Sequence, residues 1–138
     1  MDRKNQRRLG LAAIALLLVS CSEPFEPLTE TEVRSIVHEV TDRHDTPRPP
    51  VYVSQDTIRF KDDSLAETVC DRSSQRCEVN FLPCSLENRS IEELSVHEAA
   101  HVVVAWKYDK YDHGKEWKSL MAEEGYRNAN SHLHNRKC

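Results

Sequence analysis

The segment His97-Glu98-Ala99-Ala100-His101 sets two imidazoles four residues apart with a carboxylate between them. In a helix, four residues is about one turn, so both rings project from one face. Two imidazoles placed that way can hold one zinc ion. The glutamate then lies within reach of a water that the ion activates. That is the chemistry of metal-assisted hydrolysis. The plain alternative is a chance pattern on an amphipathic helix, so the flanking residues matter.

Those flanks favour the metal reading. Ser90-Ile91-Glu92-Glu93 has the form of a capping box, with Ser90 as N-cap and Glu93 three residues on. Ile91, Leu94, Val96, Ala99, Ala100, Val103 and Val104 follow near helical spacing, and neither Pro nor Gly interrupts Ser90 to Lys110. Glu92 and Glu93 in the first turn suit the helix dipole. Catalytic zinc usually takes three protein ligands and keeps one position for water. A metzincin pattern is excluded, because Val104 and Lys107 stand where its glycine and last histidine belong. Glu123 or Glu124 could serve from a following helix. His113 is the other candidate, at the start of a second amphipathic stretch with Trp117, Leu120, Met121 and Tyr126 near one face. A loop histidine beside Gly114 is the competing reading of that residue.

HEAAH followed by DHGKEWKSLM resembles the SprT-like zinc metallopeptidases. These have HExxH on one helix, a short loop, and an HGxxF/W segment opening the next helix. The resemblance implies one zinc per chain, with His97, His101 and His113 as ligands and Glu98 as general base. Trp117 matches the family's aromatic, and Leu120-Met121 its following apolar residues. The likeness covers about residues 90–126. It is weak for the strands before that region and absent from the first thirty residues. The paired CxxC of a zinc ribbon, which some relatives carry after the second helix, does not occur here.

The N-terminus points to export. Arg3, Lys4, Arg7 and Arg8 precede an apolar run from Leu9 to Val19, too short for a membrane span of about 20 residues. Leu18-Val19-Ser20-Cys21 then looks like a bacterial lipobox, cleaved before Cys21, whose thiol is lipidated. An ordinary signal peptide with a coincidental cysteine is the alternative. The expected layout is a signal peptide over 1–20, a lipidated tether over 21–28 and a SprT-like domain over 29–138. Ser22 after the cysteine suggests the periplasmic face of the outer membrane. Removing residues 1–20 takes four of the 19 basic and one of the 23 acidic residues, which leaves a net charge of −7. That balance argues against nucleic acid as a partner. The protein is expected to be a monomer.

The remaining elements predict an α+β layout, a compact minimal zincin-like domain. Thr29 to Arg43 reads as a helix capped by Thr29 or Thr31, with Val33, Ile36, Val37 and Val40 on one face. Asp45 to Pro50 is a Pro-rich break. Val51–Val53 and Thr57–Phe60 read as strands, then a hairpin flanked by Cys70 and Cys77, forming a small antiparallel sheet before the two zinc-site helices. Cys70, Cys77, Cys84 and Cys138 allow three disulfide pairings in an oxidising compartment, of which Cys70–Cys77 with Cys84–Cys138 is preferred. A second, cysteine-bound zinc is the rival. His132 and His134 are extra ligands or exposed tail residues, and His38 and His44 are read as surface residues. Tyr108, Tyr111 and Tyr126 are candidates for a donor to the oxyanion.

The function expected from these residues is a membrane-anchored zinc endopeptidase acting on protein or peptide. An exposed strand edge within residues 51–60 could take an extended peptide. The alternative is a non-catalytic, zinc-stabilised envelope lipoprotein that acts as scaffold or peptide-binding module. Glu98 argues against it, since structure alone needs no base there.

Overall fold

The computed structural model describes residues 24–55 and 64–133. The predicted signal segment, Cys21, the Thr57–Phe60 strand, His134 and Cys138 lie outside the described residues. The order is α1 (Glu30–Arg43), β1 (Val51–Val53), β2 (Ala66–Asp71), β3 (Arg76–Phe81), a 3₁₀ turn (Pro83–Glu87), α2 (Ile91–Tyr108) and α3 (Lys115–Glu123). Three helices and one small sheet make an α+β domain.

Helix α1 starts at Thr29, not Thr31. The Thr29 hydroxyl accepts from the Glu32 N–H at 3.3 Å, and the Glu32 carboxylate accepts from the Thr29 N–H at 2.7 Å. This reciprocal cap satisfies two donors that a helix start otherwise leaves open. Val33, Val37 and Val40 recur every three or four residues and are fully buried where α1 packs on α2. The start of α2 differs from its reading. Ser90 occupies the N-cap position but its side chain makes no cap hydrogen bond. Its backbone has ψ 15°, not the extended value a capping side chain requires. Asn88 does the work instead: its side chain accepts from the Ser90 N–H and its carbonyl from the Ile91 N–H, both at 2.9 Å.

The sheet order is β1-β3-β2. Strands β2 and β3 form the antiparallel hairpin, with Cys70 directly opposite Cys77 and joined to it by a disulfide. Asp71 closes the turn by accepting from the Ser73 N–H at 2.9 Å, and Gln75 takes the positive φ the turn needs. Contrary to the antiparallel expectation, β1 runs parallel to β3, so the sheet is mixed. The pairing is closed at its two ends by Val79 N–H to Pro50 O and Ser54 N–H to Phe81 O, each 3.0 Å. Three residues of Val-Tyr-Val carry no directional signal. Cys84 is also disulfide-bonded, to a partner outside the described residues.

A long-range clamp joins the ends of α1 and α3. Glu124 accepts from both Arg43 and His44, the latter at 2.9 Å. Burial alone would push the Glu124 carboxyl up, but the hydrogen bonds from Arg43 and His44 outweigh it and hold the pKa below the ordinary value. A depressed carboxylate stabilises the fold above its unfolded pKa, and this is lost as pH falls through the folded one. Glu124→Gln should therefore lower unfolding free energy at pH 7 by about 1–2 kcal/mol. The deficit should close as pH falls below the lowered pKa of folded Glu124, where both side chains are neutral. Urea midpoints at the two pH values check this. Replacing both Cys70 and Cys77 by Ala should cost about 2–3 kcal/mol in the same assay, the entropy of releasing so short a loop.

Candidate metal centre

Helix α2 is apolar on nearly every side, and from Leu94 to Ala105 all residues except His101 are buried. His97 and His101 sit one turn apart with ring centroids separated by 5.1 Å. Asp109 ends the helix in the left-handed conformation, its N–H returning to the Ala105 carbonyl at 3.0 Å. The chain then doubles back and delivers His113 just before α3. The His113 Nε2 lies 3.1 Å from His101 Nε2 and 3.1 Å from His97 Nε2.

Three imidazole nitrogens thus converge on one point, and this group can hold a metal ion. Their lone pairs repel one another unless a cation lies between them. Tetrahedral zinc with bonds of about 2.0–2.1 Å would set nitrogens about 3.3 Å apart, close to the spacing found. Three histidines with a fourth position open is also the donor set of catalytic zinc. The chemistry of the residues therefore fits the ion.

Trp117, only 1 % exposed, is the floor of the group. Its ring lies 4.7 Å from the His97 ring, 4.6 Å from His113 and 5.9 Å from His101, with its plane tilted 30° from the last. The loop that carries His113 is pinned on several sides. Asp112 accepts from the Gly114 N–H at 2.8 Å, Tyr111 donates to Asp109 at 2.9 Å, and Lys110 pairs with Glu116 at 2.6 Å. Arg72, from the β2–β3 turn, stacks over the Tyr111 ring at 4.6 Å. A Cβ on Gly114 would come within 2.6 Å of the Asp112 carboxylate, so this loop closes most tightly with glycine.

Glu98 is 2 % exposed and faces β2. The Thr68 hydroxyl lies 2.7 Å from its Oε2, while Oε1 stands 4.0 Å from His97 Nε2. That second distance is too long for a hydrogen bond, so the carboxylate borders the three-nitrogen focus without joining it. Burial pushes the Glu98 carboxyl up to about 7, the Glu67 charge adds to this, and the Thr68 hydrogen bond opposes it. A cation at the histidines would draw it down again.

Other residues named from the sequence sit elsewhere. Glu124 is engaged by Arg43 and His44, which takes His44 out of the class of plain surface residues. His38 is half-buried and contacts the Pro49 carbonyl at 2.9 Å. His132 is exposed. Among the three tyrosines, Tyr111 is bound to Asp109, and Tyr108 is 53 % exposed. Tyr126 is pushed up to about 12 by burial and by Glu92 and Glu93, with a hydrogen bond to Glu92. A groove of about 800 Å³ beside Pro49, Val69 and Trp106 shares no lining residue with the histidine group. Sequence reasoning missed Thr68, whose contact spans 30 residues and leaves no local signature.

Removing the floor should matter more than its distance from the chemistry suggests. Trp117→Ala should cost about 3–5 kcal/mol of stability and weaken zinc binding by about tenfold or more. Trp117→Phe should retain most of both. Urea unfolding and chelator competition are the measurements.

The SprT-like family model matches residues 30–136, well beyond the stretch where the histidine motifs lie. No curated protein and no solved structure matches the chain. The family match therefore covers α1, the sheet and both site helices together, and the chain belongs to the SprT-like family.

Proposed function

We propose that this protein is a zinc-dependent endopeptidase of the bacterial cell envelope, held at the membrane by a lipid on Cys21. The observation that carries the catalytic part is the placement of Glu98. A buried carboxylate turns one oxygen toward three converging imidazoles, where a structural ion would need none. Family membership supports a zinc metallopeptidase-like domain. The envelope location is supported by the lipobox-like N-terminus and by the Cys70–Cys77 disulfide, which belongs to oxidising compartments. The acidic balance after removal of residues 1–20 supports a protein or peptide substrate over nucleic acid. We take the protein to act as a monomer.

His97, His101 and His113 would hold the ion. Zinc bound there supplies Lewis acidity, lowering the pKa of a water and polarising the scissile carbonyl. Glu98 removes the proton from the attacking water through Oε1 and later passes it to the leaving amine nitrogen. A carboxylate held beside the attacking water can do both. The substrate edge is β2, not the β1 region expected from the sequence. Among the described strands β2 ends the sheet beside Glu98, whereas the Val51 carbonyl on β1 is occupied by Arg34 at 3.3 Å. An extended peptide pairing with β2 would bring its carbonyl to the histidines.

The test uses the full-length protein. The parent should bind one zinc per chain and His113→Ala should lose most of it. Glu98→Gln should keep the zinc and lose hydrolysis of an unfolded protein substrate by about 10²–10⁴-fold. Equal hydrolysis by parent and Glu98→Gln would sink the mechanism. A parent without zinc would sink the metal centre.

A further inference from the structure

In the β2–β3 ladder, directly opposed residues share a face. Ala66 with Phe81, Thr68 with Val79 and Cys70 with Cys77 make up the face on which Phe81 and Val79 are fully buried. Thr68 is the only hydroxyl in that layer. Valine has nearly the same shape there and no desolvation cost, so the hydroxyl needs a partner. Its partner is Glu98. Thr68 Oγ1 lies 2.7 Å from Glu98 Oε2 and 3.0 Å from the carbonyl of the same residue. It is the hydrogen-bond donor to that carboxylate among the described residues.

The terminal torsion of a glutamate is broad and two-fold. A carboxylate in an apolar pocket can therefore turn unless something holds it. Here one oxygen is tied to β2 and the other is left at 4.0 Å from His97 Nε2. We propose that Thr68 is the positioning residue of the site: its hydroxyl anchors Glu98 Oε2 so that Oε1 is presented to the water that attacks. This rests on the peptidase reading and deepens it. The disulfide two residues along has a part in it. A slip of one residue between β2 and β3 would turn Thr68 to the opposite face, and the Cys70–Cys77 bridge forbids that slip.

The experiment compares full-length parent, Thr68→Val, Thr68→Ser and Glu98→Gln. Zinc content, unfolding midpoint, kcat and KM on an unfolded protein substrate, and affinity for acetohydroxamate are measured for each. Acetohydroxamate binds zinc and offers a proton to the general base, so its affinity reads the carboxylate's placement without turnover. Thr68→Val should stay folded and keep one zinc per chain, with an unfolding midpoint lowered by the Glu98 carboxylate that loses its donor. Its kcat should fall by about 10-fold to 100-fold with KM little changed, as for loss of an outer-shell partner. Its acetohydroxamate affinity should fall by about tenfold, the loss of one hydrogen bond's worth of orientation. Thr68→Ser should restore both. Parent values in Thr68→Val, or equal impairment in Val and Ser variants, would overturn the role of the hydroxyl while leaving the peptidase reading intact. Hydrolysis by Glu98→Gln equal to the parent, or a parent without zinc, would overturn the peptidase reading and the Thr68 role with it.

Discussion

The constraint on which this fold depends is that its central helix is buried on almost all sides and still carries polar groups inward. Ser95, His97 and Glu98 on α2 are all buried. Burying such groups is costly unless they find partners. Ser95 solves this locally, donating to the Ile91 carbonyl at 2.7 Å. Glu98 needs a group from outside the helix and receives Thr68 from β2. His97 meets His113 from the loop after α2 and Trp117 from α3. The sheet lies on the side of α2 where Glu98 emerges, and α3 meets the side that carries His97. Helix α1 closes the remaining apolar side with Val33, Val37 and Val40.

What could be read from the sequence follows the range of each interaction. His97 and His101 were legible because four residues of helix are local geometry. The hairpin was legible because two cysteines bracket a polar turn, and α1 because its valines keep a helical period and Thr29 has its capping partner three residues away. His113 lies farther out, and its role came from the resemblance as much as from the residue itself. The features that escaped are those set by distant parts of the chain. Nothing in Val51–Val53 says that β3 will lie beside it in parallel. Glu124 reads as an available ligand in the sequence, but Arg43 and His44, some 80 residues away, hold it. Ser90 had the capping pattern but not the backbone, because the 3₁₀ turn before it hands that task to Asn88.

Packing is supplemented by a disulfide and a cation–π contact. Both lie beside Glu98 and the histidine group. The Cys70–Cys77 bridge sits on the strand that reaches Glu98. Arg72, in the turn that this bridge closes, stacks on Tyr111 in the loop that carries His113. The hairpin is thus tied to Glu98 from one side and to a metal-competent histidine from the other. An ion held by three imidazoles would itself join α2 to the chain that opens α3.

That overlap has a consequence for how the site tolerates change. Here the floor of the histidine group is also a core tryptophan, and the strand that orients Glu98 is also an edge of the only described sheet. A substitution that loosens Trp117 disturbs three imidazoles at once, since all three rings pack on it. Thr68 is the exception that separates the two roles. Its hydroxyl serves Glu98, while its shape, which valine shares, serves the packing. The packing shape can therefore be kept while the orientation of the carboxylate is released, so that the hydrogen bond alone is lost at that position.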